Sequence, residues 1–117
     1  MTKHWRPYAQ HILDAIGKIR RIQARGDLMQ DEVLYDATLR NLQTLSEATQ
    51  QLPEALKQGH PSIPWKQISG FRNILVHAYL GDIDPLTVKG VVDRHLGPLE
   101  QAIRSMLTEE GGEADAE

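Results

Sequence analysis

The chain of 117 residues has no cysteine. Disulfide scaffolds, thiolate metal sites and cysteine nucleophiles are therefore excluded. No apolar run approaches the roughly 18 residues that a membrane span needs, so no membrane partner is expected. The opening residues Met1-Thr2-Lys3-His4-Trp5-Arg6 lack the apolar stretch of a secretory signal, and a cytoplasmic location is expected. Period-two alternation and hairpin turns are missing, which argues against a sheet. There is no glycine-rich phosphate loop, no internal repeat and no Gly-x-Ser-x-Gly elbow. Aromatic residues make up 5% of the chain, and Trp65 and Trp5 are read as core or dimer packing.

What remains is an ordinary globular composition, 40% hydrophobic and 25% charged, of a length that suits one domain. The formal charge of −3 is unevenly spread. Five of the sixteen acids (Glu109, Glu110, Glu113, Asp115 and Glu117) fall in residues 108–117, which hold no base. Residues 1–107 thus carry 13 bases against 11 acids, a net of +2. The tail has nothing apolar beyond alanine and cannot offset the entropy of ordering itself. We expect a helical domain over 1–107 and an acidic disordered tail over 108–117.

Helical periodicity dominates the domain. Tyr8, Ile12, Ala15, Ile16, Ile19 and Ile22 form one stripe between Pro7 and Arg25, with Gly26 as a stop. Lys18, Arg20, Arg21 and Arg25 cluster toward its C-terminal end, where cations suit the helix dipole. A second helix is predicted from about Asp31 to Leu52, marked by Leu34, Ala37, Thr38, Leu39, Leu42, Leu45, Ala48 and Leu52. Pro53–Gln58 makes a short segment before the loop Gly59-His60-Pro61. A third main helix is predicted from Ile63-Pro64-Trp65, with Ser62 as a possible cap, to about Leu80, with Gly81 ending it. Asp84-Pro85 starts a helix holding Leu86, Val88, Val91, Val92 and Leu96; Gly97-Pro98 is predicted to break it before a last helix, Leu99 to Leu107. The predicted fold is all-α, a bundle of four or five helices.

Of the five histidines, His4, His11, His60 and His95 show no metal-ligand spacing and read as surface or structural residues. No metal and no cofactor is expected. His77 differs through its neighbours. With Arg72 as origin and a turn of about 100° per residue, Val76 falls near 40°, Asn73 near 100° and His77 near 140°. Ile74, Ala78 and Leu75 fall near 200°, 240° and 300° and can face a core, while Tyr79 returns to within about 20° of Arg72. One helix thus carries a guanidinium, an amide, an imidazole and a phenol on adjoining faces. An imidazole moves protons near neutral pH, and a guanidinium fits phosphate oxygens and the charge they gain in a transition state. One such histidine per chain is too few for separate acid and base, but a two-fold dimer would supply two. A polar wall that merely faces water remains the alternative.

The segment Gly70-Phe71-Arg72-Asn73-Ile74-Leu75-Val76-His77-Ala78-Tyr79, with Trp65 before it and Asp84 after it, resembles the HEPN superfamily. It is most similar to the HepT-like branch, the toxins of nucleotidyltransferase–HEPN (MNT/HEPN) toxin–antitoxin modules. Ser46-Glu47-Ala48 stands where that family often has Gly-Glu-Ala, a departure that touches only local helix packing. The His60-Pro61 and Pro64-Trp65 lead-in also matches. The resemblance implies a HEPN-type bundle paired as a two-fold homodimer with the motif helices lining a shared cleft. It implies a metal-independent endoribonuclease acting on RNA, with His77 as general acid or base, Arg72 stabilising the charged phosphorane and Asn73 supporting them. Tyr79 would be the tyrosine that an MNT-type nucleotidyltransferase antitoxin modifies with AMP, and Glu47 could support the site from the second helix. The alternative is a non-catalytic HEPN module that binds a nucleotidyltransferase or a nucleotide.

Overall fold

The computed structural model describes residues 4–71, 73–75, 81 and 84–116. The described residues form helices α1 (Arg6–Arg25), α2 (Glu32–Thr49), α3 (Glu54–Gln58), α4 (Trp65–Ser69) and α5 (Pro85–Ala116), and residues 71 and 73–75 are helical as well. No strand occurs among them. The all-α expectation holds.

α1 buries Ile12, Ala15, Ile16 and Ile19 of the stripe predicted from spacing, and Ala9 besides, while Tyr8 and Ile22 sit at its half-buried border. Pro7 lies in its first turn, where a missing N–H costs nothing. The helix ends at Gly26, and the chain turns through Asp27, whose carboxylate accepts from the Met29 N–H at 2.9 Å. Asp31 then caps α2, its carboxylate accepting from Val33 N–H at 2.9 Å and Leu34 N–H at 3.4 Å. α2 lays Leu39, Leu42, Leu45 and Ala48 against the α1 stripe in one buried cluster. It stops at Thr49, three residues before the predicted end. Pro53 disfavours the helical region for the residue before it, and Gln50–Leu52 form a turn instead.

Two predicted boundaries need correction. The third main helix is not continuous from Trp65: α4 ends at Ser69, Gly70 makes a turn, and helix resumes at Phe71. Asn73 N–H closes on Gly70 O, three residues back, at 3.1 Å, so the ladder tightens where glycine's helix propensity is weakest. Ser62 is not the cap of α4; Pro64 occupies that position without a side-chain bond. The second correction is at Gly97-Pro98, where α5 runs straight through. Pro98 removes one ladder bond at a cost of about 3 kcal/mol. Val88, Val92, Leu96, Leu99, Ala102, Ile103 and Met106 nevertheless form one uninterrupted buried stripe across it. Burying a side chain of this size contributes about 1.5–3 kcal/mol, so several together outweigh the proline defect. Leu86, grouped with that stripe from its spacing, is 60% exposed.

Asp84 starts α5 as predicted, its carboxylate accepting from the Leu86 N–H at 3.0 Å. Gly81, predicted to end the motif helix, has φ 81°, the left-handed region that glycine favours; residues 76–80 lie outside the described residues. α5 continues as helix to Ala116, through residues predicted to be disordered. The last described side chain against the core is Leu107, and within the later turns Gly111 and Gly112 are each about 1 kcal/mol weaker helix formers than alanine.

α1 and α5 are joined by Glu100, which pairs with Arg20 on α1 and with Arg104 on its own helix at 3.0 Å. The Arg104 hydrogen bond first, and then that of Arg20, hold the Glu100 carboxyl below its usual range. A depressed carboxyl adds stability above its unfolded pKa and loses it as pH falls through the folded value. Glu100→Gln should therefore lower stability near neutral pH by about 0.5–1 kcal/mol, the scale of a solvent-screened pair. The difference from wild type should vanish in acid, below the ordinary carboxylate range. Urea unfolding of both chains across pH 2–7, as an order-of-magnitude window for carboxylates, checks this; a deficit that persists at the acid end would contradict it.

Candidate active site

Arg72, His77 and Tyr79 lie outside the described residues. The segment that carries them is described at Phe71, Asn73, Ile74 and Leu75. Phe71 and Leu75 are buried at 7% and 3% exposure, one turn apart on the same side. Asn73 is exposed. The helical wheel places the apolar wall about 100–200° from Asn73, with Leu75 nearly opposite, and the burial of Leu75 agrees. Ile74, assigned to that wall, is 38% exposed and sits at its edge. The side of this helix that Asn73 presents is therefore turned to solvent, not into the core.

The segment is held to α2 through α4. Thr49 is fully buried, and its Oγ1 lies 3.0 Å from Ser69 Oγ and donates to Ser46 O at 2.7 Å. Gln50 Nε2 donates to the Ser69 carbonyl at 3.2 Å. These bonds fix the residue that ends α4, one residue before the Gly70 turn and three before Arg72. They were not anticipated from the sequence; the available signal was a threonine inside an apolar stripe, since a buried hydroxyl needs a partner. Ser46, which replaces the family's frequent glycine, is fully buried, with its hydroxyl donating to Gln43 O at 2.9 Å. The departure is thus accommodated without an orphaned polar group.

Glu47 lies on the exposed face of α2 and accepts a long 3.5 Å bond from Gln43 Nε2. With Tyr8, His11, Thr44, Ala48 and Gln51 it lines a shallow cavity of about 290 Å³ between α1 and α2. His11, read from the sequence as an isolated histidine, stands edge-on to Tyr8 with ring centroids 6.3 Å apart. The three-residue spacing of Tyr8 and His11 was the signal for that pair. Among the described residues no cluster of three or more histidine, aspartate or glutamate side chains could hold a metal ion.

The cationic cluster on α1 is partly committed. Arg20 pairs with Glu100, while Lys18, Arg21 and Arg25 are exposed. Near the start of α5, burial first, and then Asp36 and Asp84, push the Tyr35 hydroxyl above its ordinary pKa. It therefore stays protonated at neutral pH.

Comparison with known proteins decides the family. A family model described as Ribonuclease HepT-like matches residues 12–106. The chain belongs to the HepT-like family of the HEPN superfamily. A protein provisionally named an RNase from Caldanaerobacter subterraneus subsp. tengcongensis is 31% identical over 109 residues, covering 90% of this chain and 96% of that one. A protein provisionally named ribonuclease HepT from Thermococcus cleftensis is 31% identical over 84 residues, 69% of this chain and 76% of its own length. A Methanocaldococcus jannaschii protein, named a gamma-glutamylcyclotransferase and provisionally an RNase, is 29% identical over 112 residues, 93% of this chain but 50% of its own. No solved structure gives a significant match. No described helix is long and apolar enough to cross a membrane.

The HepT-like motif thus follows a joint fixed by two hydroxyls and an amide. Thr49→Val keeps the shape and removes the buried hydroxyl. It should cost about 1 kcal/mol, the net worth of a hydrogen bond whose partner is left behind. Denaturant unfolding of the variant checks this, and an unchanged midpoint would show that the joint is held by packing alone.

Proposed function

We propose that the chain is a metal-independent endoribonuclease, the toxin of a two-gene toxin–antitoxin module. The observation that carries this reading is the segment Arg72-Asn73-x3-His77-x-Tyr79, which lies inside the stretch matched by the HepT-like family model. The names of the relatives support an RNA substrate, and the exposed Asn73 beside buried Phe71 and Leu75 supports a solvent-facing polar wall.

In this reading two chains pair about a two-fold axis and bring two copies of the motif into one cleft. One His77 takes the proton of a ribose 2′-hydroxyl. The freed oxygen attacks the adjacent phosphorus, and the bond to the 5′-oxygen of the next nucleotide breaks. The other His77, protonated, gives its proton to that leaving oxygen. Arg72 pairs with the non-bridging oxygens as they gain charge. Asn73 orients the imidazole or the phosphate, and Glu47 assists from α2. An MNT-type nucleotidyltransferase antitoxin transfers AMP from ATP to the Tyr79 hydroxyl and releases pyrophosphate. The added phosphodiester puts negative charge and bulk where RNA phosphates must enter.

Full-length protein should cleave RNA in the presence of a chelator, and His77→Ala should slow cleavage about 100-fold or more, the usual share of acid–base catalysis. Gel analysis of RNA, with circular dichroism to confirm folding, makes the comparison. Equal cleavage by wild type and His77→Ala would remove the catalytic assignment. Intact RNA throughout, with a nucleotidyltransferase still bound, would favour a non-catalytic module.

Intact mass spectrometry of protein made with and without its nucleotidyltransferase neighbour tests the antidote separately. Mass should rise in AMP steps, and the rise should be absent in Tyr79→Phe. AMP mapped to another residue would refute the assignment to Tyr79.

A further inference from the structure

The groove beside α4 has no role in the chemistry above. It has a volume of about 490 Å³ and lies against Trp65, with Pro61 and Pro64 as apolar walls and Lys57, Lys66 and Glu54 at its polar rim. Trp65 is half-buried and packs partly on the core. Its indole Nε1 donates to Lys57 O and to His60 O, both at 3.1 Å. The ring is therefore pinned across the end of α3, and its one donor is already used. What it can offer a ligand is a rigid apolar surface, flanked by two ammonium groups against one carboxylate.

A fixed ring with nearby cations suits an unpaired nucleic-acid strand. Bases stack on an indole regardless of their hydrogen-bonding edges, and lysines meet the phosphates between them. The groove also lies just before the motif in the chain, its lining ending at Gln67. α4 begins with Trp65 and leads through the Gly70 turn to exposed Asn73, eight residues on. We propose that this groove is a base-stacking subsite for a single-stranded part of the RNA, with Trp65 as platform and Lys57 and Lys66 holding flanking phosphates. The direction of the strand from there rests on the ribonuclease reading; the stacking does not.

The test uses the full chain carrying His77→Ala, so that bound RNA stays intact. Trp5 is buried in the core and serves as a constant background in tryptophan fluorescence. Hexaadenylate should quench the signal, and an abasic ribose-phosphate chain of the same length should bind at least about 5-fold more weakly. Read by fluorescence anisotropy of end-labelled hexaadenylate, Trp65→Leu should weaken binding about 5- to 100-fold, with Trp65→Phe close to the parent. Replacing Lys57 and Lys66 by glutamine should flatten the salt dependence by about 0.7 in logarithmic slope for each phosphate that a lysine no longer neutralises. Should Trp65→Leu not fold, the native-ring titration and the lysine pair still decide.

Equal affinity for the abasic chain, or quenching by a protein partner but not by RNA, would overturn the subsite. The two proposals also fail separately. Binding at Trp65 with no cleavage by wild type supports the subsite and removes the ribonuclease reading. His77-dependent cleavage with no response at Trp65 does the reverse.

Discussion

The described fold depends on the pairing of α2 with α1. The apolar face of α2 closes against α1 through Leu39, Leu42 and Leu45, and its far end holds α4 through Thr49 and Gln50. α5 adds Leu99, Ile103 and Met106 to the same buried cluster. The entropy of ordering each residue is offset chiefly by this shared apolar surface. Because cores are close-packed, a shift of α2 is felt on both sides at once. The position of α4 is thus set by a helix of the pair on which the bundle is built.

Rigidity is unevenly placed as a result. Thr49 and Ser69 meet on a packed surface, whereas Asn73, four residues after Ser69, is exposed. Between them Gly70 interrupts the helix. A continuous helix from Trp65 would have fixed the motif by its ladder alone. The break instead makes the direction of the motif depend on two local anchors: the hydroxyl contacts before Gly70 and the burial of Phe71 and Leu75 after it. For the proposed chemistry, which rests on positioning an imidazole and a guanidinium against one phosphate, such anchoring matters more than raw stability.

The sequence carried most of this, and its failures have identifiable causes. Helix type and the buried stripes of α1, α2 and α5 followed from spacing, because burial of one face is what selects a helix. The apolar wall of the motif also followed, with Leu75 inward and Asn73 outward. Local breaker rules failed at Pro98, where buried residues on both sides outweigh one missing hydrogen bond, and at Gly70, where a glycine inside an apparent helix was read through. Side-chain pairs distant in sequence, such as Thr49 with Ser69 and Arg20 with Glu100, leave no periodic trace. The roles proposed for Arg72, His77 and Tyr79 rest on the family pattern, since spacing alone fits a solvated helix face better.

Charge gives the last constraint. A net +2 over residues 1–107 is too little to hold RNA by counterion release across a broad surface. Nor are all the bases behind that sum available to a ligand, since Arg20 and Arg104 both face Glu100. An RNA-cutting chain of this composition therefore has to gather its binding energy locally. Stacking is the suitable source, since it does not weaken steeply with salt and needs no matched polar edge. The indole of Trp65 is the half-buried aromatic placed just ahead of the motif, and two lysines stand at its groove. Weak overall charge and a pinned ring thus lead to the same expectation: contact with a short unpaired segment, held by stacking on Trp65.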